Sequence, residues 1–307
     1  MPRHPVQSLA GRILPLGIAL ALAACADVRE PEPRYITPLA WSAIDRSSGA
    51  PLTLLGSIHI GTADMGELHP SITAAYEQAS ELVVEVDLDA DRPTMARAYA
   101  ERAYLPQGER LEDRIDPGTW QRLQDYLAAR SIDPAPLAGM KPWAVMLRLA
   151  GSQFAKEGYP AEFGVDRRFL LAAAGDKPIV ALETYALQLD LYDGFPPDVQ
   201  EMMLRDFLDP QDPYHTAALI EAWQRGDEQA FLDLIFPTAV EWQAYQERFF
   251  FERNEHMAER LAELSRDGRS RFVVVGVGHM VGPRGIPALL DDRGFELRRL
   301  GVSLRRR

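Results

Sequence analysis

Cysteine is almost missing from this sequence: a single residue, Cys25, in 307. A lone thiol excludes an intrachain disulfide framework and a cysteine-rich zinc or iron–sulfur site. Basic charge is also short, with 33 Lys and Arg against 45 Asp and Glu and a formal charge of −12. That balance argues against a nucleic-acid-binding surface, which needs a basic field to neutralise phosphates. No apolar run is long enough to span a bilayer. What is present is an ordinary globular profile, 47% hydrophobic and 25% charged. The length is ample for one large domain with a sizeable core.

Arg3 and Arg12 flank the start of an apolar run from Ile13 to Ala24, interrupted only by Pro15 and Gly17. This pattern reads as an export signal. It ends in Leu22-Ala23-Ala24-Cys25, which resembles a bacterial lipobox, where the Cys takes a lipid and becomes the first residue after cleavage. Residues 1–24 are therefore expected to be a lipoprotein signal peptide, with Cys25 as the lipidation site. Residues 25–38, rich in Pro and charge, read as a tether. Residues 39–307 read as a single domain. Ala26, rather than Asp, after the Cys points to the outer membrane, facing the periplasm. The alternative is a plain secretory signal in which Cys25 falls by chance.

Residues 38–55 read as a β-hairpin leading into a buried strand. Leu68–Ser80 has helical spacing, and Leu82–Val86 is a short β-branched run. Together residues 52–88 form a strand–helix–strand unit, which implies a parallel pair. From about residue 92 the pattern is mostly helical. Helices are expected at 119–130, 142–154, 164–174 and 197–208, with Gly175 capping the third. A short strand follows at 177–183. Residues 240–265 read as one long helix, 272–276 as a strong strand, 285–293 as a helix and 295–300 as a closing strand. The expected fold class is α/β (α+β): a mixed, largely parallel central sheet flanked by helices, with a large helical insertion over about 92–265.

Two strand ends share one pattern: Gly56-Ser57-Ile58-His59 and Gly276-Val277-Gly278-His279. Ligands in open α/β sheets bind beyond the carboxyl ends of the strands. Glycine there lets the chain turn or a ligand approach. If the strands neighbour one another, both imidazoles converge, and two imidazoles plus a carboxylate suit a divalent metal. The carboxylate candidate is Glu85, because an acid inside the apolar run 82–86 is costly without a partner. Asp87 shares its parity but lies nearer the loop. Glu183 repeats the pattern after another strand. Arg253 and Asn254 follow the aromatic cluster Phe249-Phe250-Phe251 and could orient a carboxylate or polarise a carbonyl. Glu85 and Arg253 also read as a purely structural ion pair. His69, His215 and His256 read as surface or capping residues.

The ordered set of the two GxxH motifs, Val83-Val84-Glu85-Val86-Asp87, Leu182-Glu183 and Arg253-Asn254 with Met257-Ala258 resembles the TraB/GumN family over residues 39–301. That family is related to the TIKI proteins, membrane-tethered metalloproteases with two GxxH motifs. It is more distantly similar to erythromycin esterases and to a haem-binding, ChaN-like lipoprotein group. In the esterase relatives an acid stands at the position of Gly56, so the esterase reading is the weaker one here. The resemblance implies an α/β sheet with a helical insertion and a site built from His59, Glu85, Arg253 and His279. The expected function is a metal-dependent, peptidase-like hydrolase of the cell envelope. His59, His279 and Glu85 would hold Mn, Co or Zn, with Glu85 as third ligand or base. Glu85, Glu183, Arg253 and Asn254 would serve catalysis. The substrate would be a peptide or small molecule, the membrane contact the N-terminal lipid. The alternative is a haem- or metal-binding lipoprotein without turnover.

Overall fold

The computed structural model describes residues 35–209, 216–236 and 238–301. Cys25, the export signal, most of the tether and His215 lie outside the described residues. The chain opens with β1 (Ala40–Asp45), β2 (Pro51–Ser57), α1 (Pro70–Gln78) and β3 (Glu81–Val84). A helical stretch follows: α2 (Arg92–Arg102), α3 (Pro117–Ala129), α4 (Pro142–Lys156) and α5 (Val165–Ala173). The strand β4 (Ile179–Ala181) leads into α6 (Tyr185–Asp193), α7 (Pro197–Phe207), α8 (Thr216–Arg225) and α9 (Glu228–Ile235). The last part holds α10 (Gln243–Gln246), α11 (Glu252–Ser265), β5 (Arg271–Gly276), α12 (Ile286–Asp292) and β6 (Phe295–Arg299).

Local chemistry explains the helix starts. His69 accepts from the Ser71 N–H ahead of α1, Asp91 from Thr94 ahead of α2, and Asp116 from Gly118 ahead of α3, each followed by a proline in the first turn. Gly175, just past α5, has a positive φ of 78°, the left-handed geometry of a helix stop.

The six strands form one sheet in the order β4-β3-β5-β2-β1-β6. Its β4, β3, β5 and β2 are parallel, while β1 and β6 are antiparallel additions. The fold is therefore the mixed, largely parallel α/β sheet anticipated. One expectation changes. The strands of the 52–88 unit run parallel but do not pair, because β5 is hydrogen-bonded between them. Nothing local marks this: β5 is buried from Arg271 to Val275, as suits a strand with a neighbour on both edges, but β3 is equally buried.

Alternation along β5 feeds two cores. Phe272 and Val274 pack with α1 and α5, including Ile72, Phe169 and Leu170, whereas Val273 and Val275 pack with α11 and α12, including Leu261 and Leu290. The helical stretch builds a third core around Trp143, drawing Leu123, Leu149 and Leu204 from α3, α4 and α7. No helix among the described residues is long and apolar enough to cross a membrane.

The region read as one helix over 240–265 is divided. A π-helical segment, Glu247–Phe251, separates α10 from α11. Such segments shift the side-chain register and concentrate at functional sites. Here the segment ends two residues before Arg253 and three before Asn254.

Candidate functional site

The four parallel strands end side by side and each delivers one polar residue. Glu183 follows β4, Glu85 follows β3, His279 follows β5 and His59 follows β2. The ladder runs on past β4, where the Glu183 N–H donates to the Glu85 carbonyl at 2.8 Å. Gly276, at the tip of β5, is where they meet. A carbon placed on Gly276 would stand 3.0 Å from Glu85 Oε2, 3.6 Å from His279 Cδ2 and 3.8 Å from His59 Nε2. The two GxxH motifs thus converge from opposite ends of the chain, and glycine at 276 keeps the centre open.

Gly56 plays a different part from the one expected. The space beside it is filled by Val277 Cγ2 at 3.2 Å and Met280 Cγ at 3.3 Å. Its glycine lets the turn after β5 pack against β2, and leaves no opening for a substrate.

Glu85 and Glu183 share Arg253, a buried guanidinium. Its Nη2 donates to Glu85 Oε1 at 2.7 Å and Glu183 Oε2 at 2.7 Å, and its Nε donates to Glu183 Oε1 at 2.8 Å. Nη1 is spent partly on the Phe249 carbonyl at 2.9 Å. Arg253 has five N–H groups, so most of its capacity goes into holding two carboxylates. Glu85 Oε2 accepts the Gly276 N–H at 2.5 Å. Burial alone would raise the pKa of Glu85, but the charges of Arg253 and His59 and the Gly276 N–H oppose it and hold the carboxyl below its usual range.

Both imidazoles are pinned at Nδ1. His279 Nδ1 lies 2.5 Å from Asn254 Oδ1, and Asn254 Nδ2 donates to the Arg284 carbonyl at 2.7 Å. With its amide nitrogen committed as a donor, Asn254 presents oxygen to the ring, so His279 carries its proton on Nδ1 and bares Nε2. Burial pushes its pKa down to about 3, which keeps it neutral. His279 Nε2 is 3.6 Å from Glu85 Oε1. His59 Nδ1 faces Asp166 Oδ2 at 3.2 Å, an acceptor that again puts the proton on Nδ1. The cleft around His59 opposes its charge, yet Asp166 and Glu85 prevail and raise its pKa to about 9. Its side chain is also 66% solvent-accessible, being open to the cleft, so this raised pKa is no measure of stability.

Asp166 was not singled out in the sequence. It sits in the first turn of α5, where an acid looks like ordinary helix-start chemistry. Its approach depends on Gly164, where a Cβ would lie 2.8 Å from the His59 backbone, and on the Val165 N–H bonded to the Ile58 carbonyl at 2.9 Å. Gln188 on α6 is a second unforeseen member, donating to Glu183 at 3.2 Å and, more weakly, to Glu85 at 3.4 Å. Ser57 is a third. Its Oγ and Asp166 Oδ1 are buried without a hydrogen-bond partner beside a void of about 30 Å³, one water's share of liquid volume. Asp87 turns back to its own loop, accepting the Asp89 N–H, and His256 is exposed. His69 caps α1, as expected.

Known proteins agree with this arrangement in one respect. The model of the TraB/PrgY/gumN family matches residues 40–299, from the first strand to the last. The chain belongs to the TraB/PrgY/gumN family. As a member of it, the chain is similar to YbaP of Escherichia coli (strain K12), an uncharacterized protein. The two are 28% identical over 258 residues, covering 81% of this chain and 92% of YbaP. The Shigella flexneri YbaP is likewise 28% identical, over 77% of this chain and 86% of its own. No solved structure matches the chain significantly.

Proposed function

We propose that this family member is a metal-dependent hydrolase of the cell envelope, peptidase-like in its chemistry, with His59 and His279 as the metal-holding pair. The observation that carries the reading is the pinning of both imidazoles. Each has Nδ1 bound by a side-chain oxygen, the outer support that metal-binding histidines use; His59 Nε2 and the His279 ring edge both stand beside Gly276, and His279 Nε2 lies 3.6 Å from Glu85 Oε1. Charge supports it as well. Glu85 and Glu183 share the Arg253 guanidinium and Asp166 faces His59, so three carboxylates stand against one permanent cation and the centre favours added positive charge.

The donor set fits Mn, Co or Zn as a two-histidine site. Among the described residues no ready group of three His, Cys, Asp or Glu side chains is assembled to hold an ion. The reason is visible in Glu85, whose two oxygens are engaged by Arg253 and Gly276. Glu85 therefore joins as a third ligand only by sharing Oε1 with Arg253. Its low proton affinity suits it to fixed negative charge and makes it a poor base. A bound divalent cation supplies Lewis acidity to a carbonyl and lowers the pKa of water. Arg253 fixes Glu85 and Glu183, Asn254 fixes the His279 tautomer, and Asp166 fixes that of His59. In this reading the lipid on Cys25 tethers the domain to the outer membrane, with the site in the periplasm.

Metal analysis of the purified full chain tests the proposal. Wild-type protein incubated with Mn, Co or Zn and desalted should retain ion, and the His59→Ala/His279→Ala double variant should retain none. Equal retention by both would refute it. Asp166→Asn should weaken metal affinity by about 10–100-fold, because the amide can present its N–H and disfavour the required tautomer. Competition with a chromogenic chelator measures this.

A further inference from the structure

The polar floor lies at the bottom of a cleft of about 500 Å³, within the size range of small-molecule sites. Its walls are almost wholly apolar: Leu147, Phe154, Leu189, Leu191, Leu219 and Ile235. They come from α4, α6, α8 and α9, so the helical stretch supplies the wall and the sheet supplies the floor. Tyr192, on α6, adds to the apolar character, since burial pushes its hydroxyl pKa up to about 12 and keeps it neutral. Arg253 and Glu85, which also line the cleft, are paired with each other. Among the described residues of the lining no unpaired Lys or Arg is therefore left to receive an anionic ligand deep in the cleft. His59 also borders a second opening of about 570 Å³, whose lining includes Leu88, Arg92, Met95, Glu162 and Arg167. The floor thus has an apolar side and a polar, charged side, and His59 stands between them.

We propose that the site takes an amphiphilic ester or amide: an uncharged aliphatic or aromatic arm fills the apolar cleft, the carbonyl lies over Gly276, and the polar remainder leaves past His59. The substrate class rests on the hydrolase reading of the same floor, while occupancy of the cleft by an apolar arm does not depend on turnover. Hydrolysis would add water across the acyl C–O or C–N bond, with hydroxyl to the acyl carbon and hydrogen to the departing oxygen or nitrogen. The apolar acid would remain in the cleft and the polar alcohol or amine would leave on the other side. A charged group at the far tip of the apolar arm has no partner there and pays a desolvation cost.

Displacement of the neutral fluorophore N-phenyl-1-naphthylamine from the full chain tests this. The competitors are N-acyl glycinamides of increasing acyl length. Affinity should rise about fourfold per added methylene until the cleft is full. A carboxylate on the far end of the longest chain should abolish displacement. Leu191→Glu, at a partly exposed wall position, should weaken the long-chain competitor at least tenfold. Affinity independent of chain length, or tolerance of the terminal carboxylate, would overturn the proposal. The His59→Ala/His279→Ala variant should keep the length dependence even where metal retention is lost. A failed metal experiment therefore leaves the cleft assignment standing, and a flat length series leaves the metal reading standing.

Discussion

Replacing Arg253 with methionine should lower the unfolding free energy by about 3–5 kcal/mol, the cost of stranding buried charges by removing their partner. In a protein of this size that corresponds to a fall in melting temperature on the order of 10 °C. The stranded groups are Glu85 and Glu183, with side chains 10% and 7% exposed. The pH dependence fixes the sign. In the wild type the folded Glu85 carboxyl titrates below its unfolded value, so its contribution is complete above the unfolded pKa and is lost as pH falls toward the folded one. In Arg253→Met burial acts with less opposition, and the folded carboxyl rises. Protonation then relieves the variant just where it harms the wild type. The stability gap should be widest at pH 7 and narrow through the carboxylate range. Urea unfolding of both proteins at pH 7 and pH 4 measures it, and a gap that widens on acidification would contradict the ion-pair account. Adding Glu85→Gln and Glu183→Gln to the variant should recover part of the loss, because these residues share one network.

Replacing Arg271 with methionine should cost a similar 3–5 kcal/mol and leave the functional site untouched. Arg271 opens β5, at the opposite end of that strand from the site, and is 1% exposed. Its Nε donates to Glu81 Oε2 at 2.8 Å, its Nη2 to Asp267 Oδ2 at 2.6 Å and its Nη1 to the Leu264 carbonyl at 2.5 Å. Glu81 is its register partner on β3, and Arg269 also pairs with Glu81. The cluster ties β3, β5 and the end of α11 together. Metal retention and competitor binding by the folded Arg271→Met protein should equal those of the wild type, whereas Arg253→Met should disturb both. Equal disturbance by the two would mean that Arg253 acts only through stability.

The sequence carries the site unevenly. His59, His279, Glu85, Glu183, Arg253 and Asn254 were legible because each breaks a local rule: a polar group set directly after an apolar strand, or beside an aromatic cluster. Those violations survive in one dimension. Asp166 breaks no rule where it stands, since an acid opening a helix is ordinary chemistry, and only its distance to His59 gives it meaning. Gln188 is hidden in the same way on α6. Gly56 misled for the opposite reason. A glycine after a strand marks a close approach, but the sequence does not say by what, and here it is Val277 and Met280. In the fold, strands and helices followed from periodicity. The position of β5 between β2 and β3 did not, because strand order depends on which edges gain most by burial across more than 180 residues of intervening chain.

That strand order has a consequence for how the molecule comes to exist. A chain built from its amino end possesses His59 and Glu85 early, on two strands with a vacant slot between them. The strand that fills the slot begins only at Arg271, long after β3 ends at Val84. Until it arrives, β2 and β3 have unpaired inner edges, and their closure demands long-range contacts that form slowly. The sheet should therefore stay open until the chain has been made through Gly276. Closure of the sheet and assembly of the site are then one event, because the strand that fills the slot also carries Gly276 between Glu85 and His59 and leads into His279.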